Sequence, residues 1–112
     1  MAATPAQLVA PQQVASSTAT YYTSGVGVTT RIDSVSVTNP TASAATITLY
    51  VVASGGTAGD ANTISKAHGV NAGQTWNCPD LIGKVLPAGS TLQAIASAAT
   101  TLTLAVSGTQ FT

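Results

Sequence analysis

The segment Ala45-Thr46-Ile47-Thr48-Leu49-Tyr50-Val51-Val52-Ala53 decides how this chain reads. Ile47, Leu49 and Val51 alternate with Thr46, Thr48 and Tyr50. That period of two puts one set of side chains on the buried face of a β-strand and the other on its outer face. β-Branched and aromatic residues suit such a half-buried pleated surface. Just upstream, Thr29–Asn39 (TTRIDSVSVTN) alternates as well, with Val35 and Val37 on one face and Ser34, Ser36 and Thr38 on the other. Ile32 is out of phase with these valines, and a bulge near Asp33-Ser34 brings it back into register. Asn39-Pro40-Thr41-Ala42 joins the two strands as a turn.

Working outward, the same signals recur. Ala19–Thr23 carries Tyr21 and Tyr22 and leads into the turn Ser24-Gly25-Val26-Gly27. Asn62–Ala67 and Gln74–Asn77 are short strand candidates around Val70-Asn71-Ala72-Gly73. Thr91–Ser97 and Thr101–Ser107 form a last hairpin, with Leu102, Leu104 and Val106 alternating. Pro79–Leu86 (PDLIGKVL) departs from the pattern: Leu81, Ile82, Val85 and Leu86 are spaced like one face of a helical turn, although Gly83 weakens a helix. Residues 1–17 lack periodicity, and Pro5 and Pro11 forbid a continuous helix there. They read as an extended N-terminal arm with a short edge strand at Gln7–Val14, able to lie on its own sheet or to reach a neighbour. The expectation is therefore an all-β fold of seven or eight short strands: a small antiparallel β-sandwich or jelly roll over residues 18–112, preceded by an arm over residues 1–17.

Composition narrows the function. The 112 residues make one domain, and charged residues supply only 5% of them, against roughly 25% in an ordinary globular domain. The charged set is Arg31, Asp33, Asp60, Lys66, Asp80 and Lys84, with net charge zero. Nucleic acid is not an expected partner, since phosphate binding needs clustered cations. No run of residues approaches the roughly 18 apolar positions of a membrane-spanning helix. The N-terminus has no basic segment followed by an apolar run of signal-peptide length, which points to synthesis in the cytoplasm. A neutral, charge-poor surface is poorly soluble on its own and makes sense when much of it ends against other subunits.

Few residues invite chemistry. His68 is the only histidine and sits in a loop-like stretch, so a plain surface role is expected. One His and three scattered Asp do not make a triad. Cys78 has no Cys or His at metal-ligand spacing and reads as a buried small hydrophobe. The loop Ser54–Ala61 is Gly-rich but lacks the lysine of a phosphate loop. Trp76 reads as core. No enzyme activity, cofactor or metal is expected. The candidates are instead contact residues. Gln7, Leu8 and Val9 lie in the arm. Arg31 and Asp33, two apart on one strand face, can pair with each other or with a neighbouring subunit. Tyr50 faces outward.

The strand–turn–strand Arg31–Asn39 into Ala45–Val52, and the tail Leu86–Ala94 through Leu102–Gly108, resemble small virion proteins of tailed bacteriophages, over about residues 20–110. The resemblance implies a capsid decoration (cement) protein. Such a protein is a small jelly roll that sits on the shell, clamps neighbouring subunits of the major capsid protein or other virion proteins, and works in the virion after synthesis in the host cytoplasm. The alternative within phages is a tail, neck or fibre accessory protein, including a glycan-binding host-recognition module. A homo-oligomer, dimer or trimer, would bury the apolar surface left over in so small a domain.

Overall fold

A computed structural model describes residues 2–112. Among these residues the chain forms nine strands: β1 (Ala3–Gln13), β2 (Ala19–Thr23), β3 (Thr29–Thr38), β4 (Ala45–Val52), β5 (Thr63–Val70), β6 (Thr75–Trp76), β7 (Val85–Leu86), β8 (Thr91–Ala96) and β9 (Thr103–Phe111). A single 3-10 turn, Asp60–Asn62, precedes β5. The strands build two antiparallel sheets packed as a β-sandwich over one core. Sheet A has the order β1-β9-β3-β6, with β7 also pairing with β3; sheet B has the order β2-β8-β4-β5. Apart from β4–β5 and β6–β7, every connection crosses from one sheet to the other.

The alternation read in β4 sets the inner face of sheet B. Ala45, Ile47 and Leu49 are buried while Thr46, Thr48 and Tyr50 are half-exposed, and the strand ends with Val51 partly and Val52 fully covered. Opposite them, Ile32, Val35 and Val37 of β3 and Leu104 and Val106 of β9 supply sheet A's share of the core. The bulge expected at Asp33 is present. Ile32 pairs with Gly108 and Ser34 with Ser107, so Asp33 is the extra residue that returns the strand to phase. Gly108 lies at this kink on the central strand β9. A Cβ there would collide with the carbonyl oxygen of Arg31 and stand 2.8 Å from Leu8 Cδ1, so the close approach of three strands requires glycine.

One expectation is extended and one corrected. The edge strand expected at Gln7–Val14 lies on the chain's own sheet and is longer, Ala3–Gln13: strand β1 pairs with β9 from Ala3↔Phe111 to Gln13↔Thr103, and Leu8, Val9 and Val14 are buried in the core. Leu8 and Val9 are adjacent yet both point inward, because the register shifts between Gln7 and Val9. That break in alternation hides the strand's full length in the sequence. The helical face expected over Pro79–Leu86 is absent. Residues 79–83 are a run of turns leading into β7, held by Gly83 N–H donating to Ile32 C=O (2.7 Å) and Ile32 N–H donating to Lys84 C=O (3.0 Å). Only Leu81 and Leu86 go inward, while Ile82 and Val85 remain 44% and 52% exposed.

Two buried polar clasps fasten the sheets near the two ends of β3. At its start, Thr30 shares hydrogen bonds with Tyr22 Oη of sheet B (2.7 Å) and with Ser24 Oγ (3.1 Å), and Gln110 Nε2 donates to Tyr22 Oη (2.9 Å). Just beyond its end, fully buried Asn39 donates to the carbonyls of Ser43 (2.7 Å) and Val70 (2.9 Å) and accepts from Thr41 N–H (3.0 Å) and Thr41 Oγ1 (2.6 Å). Among the described residues no buried side-chain nitrogen or oxygen is left without a partner. Asn39→Ala removes a fully buried side chain that makes four hydrogen bonds, at about 1–3 kcal/mol for buried groups left unpaired. The expected result is a loss of that size in urea denaturation; a change within about 0.5 kcal/mol, the range of ordinary surface substitutions, would show that the clasp carries no stability.

Candidate functional site

The sequence candidates separate onto different surfaces. Leu8 and Val9 belong to the core and cannot contact a partner, since they are 8% and 1% exposed. Tyr50 is half-buried on the outer face of sheet B, opposite Gln93 of β8 and Thr63 of β5. Gln7, Arg31 and Asp33 come together on the outer face of sheet A.

The register explains that meeting. Pro5 of β1 lies across from Thr109 of β9, and Thr109 across from Arg31 of β3, so the three share a row on one face. Asp33, two residues on, is on the same side as Arg31, and the bulge leaves Ser34 exposed beside it before burial resumes at Val35. Arg31 Nε donates to Asp33 Oδ1 at 2.8 Å, and Thr109 Oγ1 donates to Asp33 Oδ2 at 2.7 Å. The Arg31 guanidinium also lies over the Phe111 ring, 5.5 Å from its centroid, in cation–π range. Beside this network Pro5, Ala6, Gln7, Asp33, Ser107 and Gly108 line an open depression of about 390 Å³. The cluster offers fixed donors and acceptors in an exposed position, which is the chemistry of recognition.

The hydrogen bond from Arg31, with a second from Thr109, holds the Asp33 carboxyl below its usual range. A carboxylate whose pKa is lower in the folded than in the unfolded state stabilises the fold above the unfolded value. That contribution is lost as pH falls through the folded one. The stability difference between the native chain and Asp33→Asn is therefore expected at neutral pH and should shrink once the pH drops below about 4. Denaturation midpoints measured across this range check it; a difference that grows toward acid contradicts the assignment.

Sequence reasoning missed Thr109 and Phe111, whose only signal was their place after Gly108 in a strand facing Arg31. It also missed a stack between His68 of β5 and Trp76 of β6, ring centroids 3.6 Å apart and planes 10° from parallel. The pair joins an edge of sheet B to an edge of sheet A, so half-buried His68 is a packing residue and not merely a surface one. Cys78 is fully buried, and burial pushes its thiol pKa up. Among the described residues no three His, Cys, Asp or Glu side chains gather as a metal-holding group, and no helix is long and apolar enough to cross a membrane.

The chain matches no family model, no curated protein and no solved structure.

Proposed function

We propose that this chain is a non-enzymatic virion structural protein, a decoration protein that binds the shell of a tailed bacteriophage and stabilises it. The observation that carries the reading is the strand order, β1-β9-β3-β6 against β2-β8-β4-β5 with most connections crossing between sheets. We read that order as a jelly roll with β7 as a short addition, an architecture shared by viral capsid and lectin domains. The likeness of the Arg31–Asn39 and Ala45–Val52 strands to small phage virion proteins points the same way.

The surface supports an assembly role made through faces and not through edges. The free edge of β1 carries Pro5 and Pro11, which have no N–H to offer a new strand. β2 is five residues long and shifts register between Thr20 and Tyr22; β5 shifts twice, with Ala67 at φ 49°. β6 and β7 have two residues each. Every edge is thus short, kinked or proline-bearing, which discourages runaway strand addition. What remains open is broad, neutral and rich in Ser and Thr. On sheet A, Ser34↔Ser107, Ser36↔Ala105 and Thr38↔Thr103 pair across the outer face. Covering such a face costs little desolvation of charge, because the chain has so few charges to cover.

In this reading the partners are the major capsid protein or other virion proteins, and the protein acts as one copy among many. The test adds the purified chain to phage shells that lack it and follows their disruption by heat. A rise in disruption temperature that saturates with added protein is expected. Shells equally fragile with and without the chain would overturn the reading.

A further inference from the structure

The three large apolar side chains left most exposed among the described residues are Val26, Ile82 and Val85, and Val85 borders the Arg31–Asp33 network. Val85 of β7 lies directly across from Arg31, while their neighbours Leu86 and Thr30 point inward together. Val85 therefore stands on the outer face of sheet A in the same row as Arg31 and Thr109. One end of this face thus combines the exposed Val85 side chain, the half-buried Phe111 ring and an ordered Arg–Asp pair. The other end presents Ser, Thr and Ala. Arginine and aromatic side chains around an apolar centre are the composition of protein interfaces.

The charges on this face identify the occupant. Arg31 uses Nε on Asp33, with only a long 3.5 Å contact from one terminal nitrogen to Thr109, so most of its terminal N–H groups have no partner in the chain. Each Asp33 oxygen accepts one hydrogen bond and has capacity for another. A surface that carries a donor fork and a carboxylate side by side, with no net charge, is complementary to itself across a two-fold axis. A strongly charged partner would meet no net opposite charge here.

We propose that two copies of this chain dimerise through this end of sheet A, with Arg31 of each copy reaching Asp33 of the other and the two Val85 side chains packed between them. The proposal rests on reading the chain as a subunit of an assembly, and it names the surface that pairs the subunits.

The test is the solution mass of the full chain by sedimentation equilibrium. The native protein is expected at twice its 11.0 kDa monomer mass. Val85→Asp is expected at the monomer mass with an unchanged circular dichroism spectrum, because the exposed valine is not part of the chain's own core. Arg31→Glu and Asp33→Lys should each be monomeric alone, since like charges then face across the axis. Mixed together they should recover the dimer mass, which a purely internal ion pair cannot produce. A native chain that stays monomeric at millimolar concentration overturns the proposal, as does a dimer untouched by all three substitutions. Either result leaves the shell-stabilisation test free to succeed, so the two readings fail separately.

Discussion

Removing residues 1–17 is expected to unfold the protein and not to release an intact domain. Strand β1 covers β9, the strand that joins β1 to β3, and its Leu8 and Val9, with Val14 just beyond it, are buried in the core. Full burial of one such side chain contributes about 1.5–3 kcal/mol, so losing three removes roughly 5–9 kcal/mol. Domains of this size are stable by only about 5–15 kcal/mol in total. The truncation also uncovers β9 hydrogen-bonding groups along most of its length. Circular dichroism and a thermal melt of residues 18–112 check the prediction: no cooperative transition is expected. A truncated chain that melts cooperatively near the native temperature would mean β1 is only an appendage.

The second large effect is at Leu49. It is fully buried on β4, between Ala94 of β8 and Ser65 of β5 in the sheet register. Leu49→Ala deletes its packing and leaves a cavity in a core built from both sheets, which costs about 2–5 kcal/mol. Urea denaturation of the variant measures it. A change below about 1 kcal/mol would mean that the alternation of Ala45, Ile47 and Leu49 does not define the buried face as described.

That alternation is also why so much of the fold was legible. Over Val35–Val37 of β3, Ala45–Leu49 of β4 and Leu104–Val106 of β9 the period of two survives in the sequence, and even the break at Ile32 pointed to the bulge found at Asp33. Where the period fails, the sequence misleads. Leu8 and Val9 are consecutive and both buried because the β1–β9 register shifts between Gln7 and Val9, leaving Leu8 as an extra residue. Leu81, Ile82, Val85 and Leu86 mimic a helix, but backbone hydrogen bonds to Ile32 shape the segment as turns and leave two of the four outside.

The candidate site was legible in part, for a related reason. Arg31 and Asp33 share a strand and are two apart, so their common face could be read from local spacing. Thr109 and Phe111 reach them across a sheet pairing, and Val85 from the opposite side. Residues so far apart in sequence announce their neighbourhood only once strand order is known. The His68–Trp76 stack is hidden in the same way, because its two rings come from strands in different sheets. Tyr50 was read correctly as outward on β4, yet the topology puts it on the sheet opposite to Arg31, so the two do not share a surface.

The proposed role turns on whether this protein occupies a phage shell in many regularly placed copies. The most direct measurement is its saturable co-sedimentation with phage capsid shells lacking it, quantified as copies bound per capsid subunit. Saturation at a fixed, shell-wide ratio of small whole numbers is the result the account predicts. Failure to sediment with the shells, or binding of only a few copies confined to the tail vertex, would contradict it.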